Sequence, residues 1–246
     1  MHRATVLLVG IAIGVGVPGR AWSDAAAGRA HGDEAAGRAR GDADGELAAL
    51  TAGLPACDAA RAHCLGIRLH VTIDADGKAI AQPAWLAVEL AAANRRFAPL
   101  DVGFEVVGVD ALPASAARIA TRAERDAVSD GRLVGKVIHV FITGRLDDVD
   151  VPDGVIRGVA WHVRGSERKY VILSTVAPER VLAHELGHVF GLPHSTYAIS
   201  IMNKTVRSEP PPEQRTFADP EIAAMRPVLK RLLRDQMIAD ITAGPR

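Results

Sequence analysis

Residues 184 to 194 read His-Glu-Leu-Gly-His-Val-Phe-Gly-Leu-Pro-His. On a helix, His184 and His188 are four residues apart and share one face, so both imidazoles can reach a single ion. Imidazole nitrogen is an ordinary zinc ligand, and a catalytic zinc takes three protein ligands and keeps a position for water. Glu185 follows the first histidine, where a carboxylate can take a proton from that water. Gly191 comes three residues after His188. A glycine there can adopt the left-handed conformation that stops a helix and turns the chain. The turn would return His194 as third ligand. A bare His-Glu-x-x-His also arises as two surface histidines. The longer pattern fixes five positions, and its glycine has a separate mechanical purpose.

These residues resemble the metzincin metallopeptidases, whose signature is H-E-x-x-H-x-x-G-x-x-H followed by a Met-containing turn beneath the zinc. Ser200-Ile201-Met202-Asn203 supplies such a turn, and Met202 is the only Met between the motif and the last expected helix. Read without the resemblance, Met202 is an ordinary gap-filler. The short step from His194 to Met202, with Ser195 directly after the third histidine, is most similar to the matrixin branch. The motif itself spans about 20 residues, and the looser order of strands and helices extends the likeness over about 65 to 240.

The resemblance implies an α+β, metzincin-like domain: a twisted mixed sheet with two packed helices, an active-site helix and a C-terminal helix. It implies one catalytic zinc, peptide or protein substrates, and Glu185 as general base passing the water proton to the leaving amine. An edge strand within 156 to 163 would run antiparallel to a bound peptide and pair with its backbone. Trp161 and His162 would then lie near the cleft; the alternative is a core Trp and a His on a strand surface. The sequence also departs from the family. Pro193 stands where matrixins usually have Asp. No Tyr closely follows Met202, so the extra ligand of the astacin branch is missing. The Cys-containing latency motif of matrixins is not present as such, and residues 111 to 132 have no obvious matrixin counterpart.

The elements that must position this site follow from patterning. Ile67 to Ile73 alternates apolar and polar residues, as a half-buried strand does, and Asp74 to Gly77 supplies turn chemistry. Pro83 to Phe97 reads as a helix, with Pro83 near its first turn. Strands are expected at 102–109, 137–142, 158–163 and 170–174, and an exposed helix or irregular excursion at 114–130. A helix of about a dozen residues follows Pro178 and ends near Gly191. After a loop over 192–218, Asp219 as N-cap with Pro220 and Glu221 opens a last helix running to about Ala239.

Composition bounds the rest. Lys plus Arg and Asp plus Glu both number 29, so no global field favours nucleic acid. Aromatics are 4%, which predicts a core of Val, Leu, Ile and Ala. Ala4 to Val17 is an uncharged apolar run, followed by small residues before a cleavage site after Ser23, the layout of a secretory signal peptide. A spanning helix needs about 20 apolar residues, so no stable membrane anchor is expected. The boundaries read as signal peptide 1–23, flexible Ala/Gly/charged leader 24–50 and catalytic domain 51–246. A monomer, secreted to the periplasm or cell exterior, is expected.

Cys57 and Cys64 are the only cysteines, and an even count behind a signal peptide predicts one disulfide. The alternative is a free thiol that ligates the zinc and keeps the enzyme latent. The acidic loop with Asp147, Asp148, Asp150 and Asp153 could take calcium, although its spacing matches no EF-hand and a solvated turn is the simpler reading. Two rival functions remain: a zinc-binding recognition module without peptidase activity, and a metal-free binding domain in which the motif is accidental.

Overall fold

The computed structural model describes residues 42–242. The expected signal peptide and residues 24–41 of the leader lie outside them. The last part of that expected leader is ordered instead: residues 42–51 form helix α1, and Leu47 and Leu50 are buried in the main core. Its two leucines at i and i+3 share a helix face, a pattern masked by the Ala- and Gly-rich surroundings.

The chain continues through β1 (His63–Thr72), α2 (Pro83–Phe97), β2 (Val102–Leu112), β3 (Arg118–Ile119), α3 (Arg122–Ala127), β4 (Ile138–Thr143), β5 (Arg145–Asp147), β6 (Val155–Ile156), β7 (Gly158–His162), β8 (Lys169–Ser174), α4 (Val181–Val189) and α5 (Asp219–Arg234). Five strands form one sheet in the order β2-β1-β4-β8-β7. The first four run parallel to their neighbours, and β7 is antiparallel to β8 at the sheet edge. This is the expected mixed sheet with packed helices, an active-site helix and a C-terminal helix.

Helices α2 and α4 pack on one face of the sheet and on each other. The core there is less purely aliphatic than composition suggests. Four of the five phenylalanines gather in one cluster, with the Phe97 ring centroid 4.9 Å from Phe104, 5.2 Å from Phe190 and 5.0 Å from Phe217. Edge-on contacts of this kind add to area burial. They tie α2, β2, the end of α4 and the start of α5 together.

The other face is where the structure goes beyond expectation. Residues 114–130 are the expected short helix and irregular excursion and are largely exposed, yet the stretch from Leu112 onward is also anchored. Leu112 and Ile119 from this segment join Phe141, Leu146, Tyr170 and Ile172 in a second core. Parallel strands need cover on both faces, and the segment supplies it. β1 is therefore buried on both faces rather than half-buried, and His70 and His139 end up enclosed.

Smaller corrections concern helix ends. α4 has nine residues rather than a dozen, and α5 stops at Arg234 rather than near Ala239. The residue before α5 is Ala218, not Asp219, and its N–H donates to the Glu221 carboxylate at 2.8 Å. Cys57 and Cys64 are disulfide-bonded with their Cα atoms 5.9 Å apart, so the free-thiol alternative is withdrawn. No helix among the described residues is long and apolar enough to cross a membrane.

Candidate metal centre

α4 carries His184 and His188, and the chain turns back after it to bring up His194. The ligand-capable atoms of the three histidines lie within 4.8 Å of one another, and Nε2 of His188 is 3.3 Å from Nε2 of His194. Gly191 makes the turn with φ 89°. Its N–H donates to the His188 carbonyl at 3.1 Å, and the Leu192 N–H to that of Gly187 at 2.9 Å. A left-handed glycine closing a helix in this way is the role its spacing predicts.

The donor set fits a zinc ion. His184 Nδ1 lies 2.8 Å from the Ile201 carbonyl and His188 Nδ1 2.7 Å from that of Leu192. A carbonyl only accepts, so each Nδ1 carries the proton and each Nε2 presents a lone pair. Burial pulls His184 down to about 4 and also lowers His188 and His194. Three neutral imidazoles thus face one point, with both helical rings oriented by main-chain carbonyls.

Elements distant in sequence hold α4 in place. The helix has no acidic residue in its first turn, and Glu89 of α2 accepts the Leu182 N–H there at 2.9 Å. At the other end Lys169 of β8 donates to the His188 carbonyl at 2.7 Å. Both contacts suit the polarity of helix ends. Burial raises the Glu89 carboxyl to about 8.

Beneath α4 lies the turn with Met202, which is wholly buried. The Met202 N–H donates to Ser200 Oγ at 2.9 Å, and that hydroxyl donates to the Glu221 carboxylate at 2.7 Å. Glu221 therefore anchors the turn as well as the start of α5, a role its sequence position did not disclose. Ser195 N–H to the Met202 carbonyl, at 3.2 Å, joins the His194 loop to the same turn.

Gly187 is what lets Met202 approach: a Cβ on it would sit 2.8 Å from Met202 Sδ and 3.0 Å from Phe217 Cε1. Gly187→Ala should therefore lower stability by about 1–2 kcal/mol. Overpacking costs about 1–3 kcal/mol and outweighs the gain in helix propensity of up to about 1 kcal/mol. Urea unfolding checks this, and an unchanged or raised midpoint would mean that Met202 gives way freely.

Glu185 is 5% exposed and lines the cleft beside the three histidines. Burial pushes its carboxyl up to about 8, with the Ala160 backbone N–H acting in the opposite direction. A nearby cation would also act downward. Gly158 at the start of β7 makes room for it: a Cβ there would meet Val181 at 2.6 Å and Glu185 Cγ at 3.0 Å. Neither Gly158 nor Lys169 stood out in the sequence, because only the sheet brings them to α4.

The cleft has a volume of about 1010 Å³ and runs along β7 past the histidines to Pro212 and Arg215. Trp161 lines it; its Nε1–H donates to Asp126 at 2.7 Å and Arg125 lies over its ring at 4.9 Å. His162 is exposed and is not part of the wall. In the acidic loop, Asp147 is bound by Arg118 and Arg145, and Asp150 by Arg122. Two of the four carboxylates are thus taken by arginines, and calcium is not supported there.

Residues 143–225 match the matrixin family model (Peptidase M10). That stretch is about a third of the chain, and it contains the three histidines, Glu185, Gly191, Met202 and Glu221. Over it the chain is similar to the metzincin class of zinc metallopeptidases. No curated protein matches the chain significantly. Among solved structures, archaemetzincin from Methanopyrus kandleri aligns with a TM-score of 0.46 and 19% identity, over 70% of this chain and 98% of that one. Metalloproteinase-II from Bacteroides fragilis aligns with a TM-score of 0.45 and 15% identity, over 72% of this chain and 57% of that one.

Proposed function

We propose that this chain is a secreted, matrixin-like zinc endopeptidase with His184, His188 and His194 as metal ligands and Glu185 as general base. The observation that carries the reading is the convergence of three neutral imidazoles beside a buried carboxylate in a cleft bordered by a sheet edge. A zinc ion bound there would supply a Lewis acid and make water acidic near neutral pH.

The chain's own residues do the rest. The outer edge of β7 offers backbone groups to an extended peptide by strand addition. The cleft extends well beyond the histidines, and its wall also takes in Asp148, Asp150, Pro212 and Arg215. That extent supports cutting within a chain. Glu185 takes a proton from water and returns it to the leaving amine. Trp161 and Ala160 wall the cleft beside it. The disulfide and the apolar run at 4–17 support secretion, since disulfides persist outside the reducing cytosol.

The recognition-module reading is weaker. A buried carboxylate without a counterion costs stability, and a purely structural metal site has no use for one at Glu185. Protein purified without chelator should contain about one zinc per chain and cleave members of a peptide library, and chelation should abolish cleavage. A small fraction of one zinc per chain would sink the metal assignment. Full zinc with no cleavage would favour the recognition module.

A further inference from the structure

The cleft is far more basic than the chain. Lys plus Arg equals Asp plus Glu over the whole sequence, yet seven cationic side chains line the cleft against the carboxylates of Asp148, Asp150 and Glu185. Asp148 and Asp150 sit near Arg125, whose charge they offset. Arg180 and Arg215 lie near Arg207 on another part of the wall, and Lys204 lies near the three histidines and Glu185.

None of these four forms an ion pair among the described residues, although Lys204 is near enough to Glu185 to favour its charged form. Arg207 donates to the carbonyls of Ala198, Ser200, Asn203 and Thr205 at 2.6–2.9 Å. Arg215 donates to those of Pro210 and Arg207 at 2.8 and 2.7 Å. These bonds satisfy N–H groups and leave the charges uncompensated. Among the described residues, the side chains of Arg180 and Lys204 make no hydrogen bond or ion pair. The nearby Glu179 is turned to Arg96, at 3.6 Å. Arg215 and Arg180 are each close enough to Arg207 to repel it.

Arg180 is also the N-cap residue of α4. Helix starts favour anions and disfavour cations. An arginine there, lining a cleft in which Arg207 is also close, works against the stability of the site helix. Such an arrangement is relieved when an anion arrives, because charge-assisted bonds to a carboxylate are strong and arginine forks match its geometry.

We propose that this part of the cleft, centred on Arg180, is a carboxylate-binding subsite that makes the enzyme prefer acidic peptides. The subsite rests on the peptidase reading. Gly158, at the N-terminal end of β7, packs against Val181 beside Arg180, whereas Trp161 lies towards the other end. A peptide running antiparallel to β7 would thus offer its carboxylate on the C-terminal side of the cleaved bond. Two sources share this chemistry: an Asp or Glu side chain, and the α-carboxylate of a chain end.

The test uses zinc-loaded wild-type protein and peptides that are blocked at both ends and differ only in Glu or Gln at each position after the cut. A third peptide carries Gln and a free C-terminal carboxylate. kcat/KM should favour the Glu peptide by about tenfold, the scale of one charge-assisted hydrogen bond, and the ratio should fall towards one in Arg180→Ala and invert for Lys peptides in Arg180→Glu. If instead the free-acid peptide gains and the Glu peptide does not, the bound group is a chain end. Binding to the Glu185→Gln variant, read by fluorescence anisotropy, gives an arm that needs no turnover. Preferential binding of acidic peptides without any hydrolysis by wild type would uphold the subsite and overturn the peptidase reading. Cleavage and binding indifferent to Glu or Gln, with no gain from the free acid, would overturn the subsite and leave the peptidase reading standing.

Discussion

Glu185→Gln should keep about one zinc per chain and lose roughly 10²–10⁴-fold in kcat/KM, the range over which a positioned acid–base group acts. Glutamine has nearly the same shape, so it fits over Gly158, where an added Cβ would come within 3.0 Å of the Glu185 Cγ. It can neither take the water proton nor return it. Glu185→Ala should lose as much activity and leave the ligands His184, His188 and His194 in place. Stability should move the other way. The carboxyl is buried and pushed up to about 8 by desolvation, so an uncharged amide should leave the urea midpoint equal or higher, as expected where function holds a group in an unfavourable place. Metal analysis, steady-state kinetics and urea unfolding on the same preparations check all three. Turnover at the wild-type level would remove Glu185 from the proposed mechanism, and loss of zinc along with turnover would make it a ligand-positioning group.

How much of this was readable beforehand depended on sequence distance. The histidines, Glu185 and Gly191 lie within one short helix and its terminal turn, where the 3.6-residue period and the need for a positive φ leave little freedom. Met202 was legible through a resemblance, yet the reason it fits, Gly187, is visible only once the turn is packed against α4. Glu89, Lys169 and Glu221 act on α4 or on the turn from other elements. Each looks in sequence like an ordinary charged residue on a helix or strand. The segment 114–130 with the preceding Leu112 was legible only in part, for a related reason. Its Ala and Arg content reads as exposed, but two apolar anchors, Leu112 and Ile119, suffice to cover the second sheet face.

That cover has a consequence for acid stability. Between pH 7 and pH 5, the buried pair His70 and His139 should contribute a stability loss of about 2–4 kcal/mol, because each ring adds a slope of roughly 1.4 kcal/mol per pH unit only over the part of that range below its unfolded value of about 6.5. His70 Nε2 lies 2.9 Å from His139 Nδ1, and both rings are almost fully enclosed, His70 stacked on Phe141 with centroids 4.4 Å apart. Burial lowers both to about 4, reinforced by positive charge from Arg68 and, at His139, from Arg168. Asp110 opposes this, 3.4 Å from His70 Nδ1, but its charge is largely taken by two bonds from Arg68 at 2.6 and 2.8 Å. The sign follows from proton uptake. Below the unfolded value of about 6.5 the unfolded chain binds protons that the folded rings refuse, so stability falls with pH until about 4 and no further from this source. Asp110, itself held low by Arg68, contributes stability that disappears only below the ordinary carboxylate range, so the two windows are separate. The site histidines are lowered too and add to the slope in metal-free protein. The pair is therefore read from a difference: His70→Phe with His139→Leu should flatten the urea-midpoint profile between pH 7 and 5 relative to wild type, each as zinc-free protein. Parallel profiles would mean that the enclosed rings take up protons in the folded state, and imidazole NMR titration of wild type would then find them charged well above pH 4.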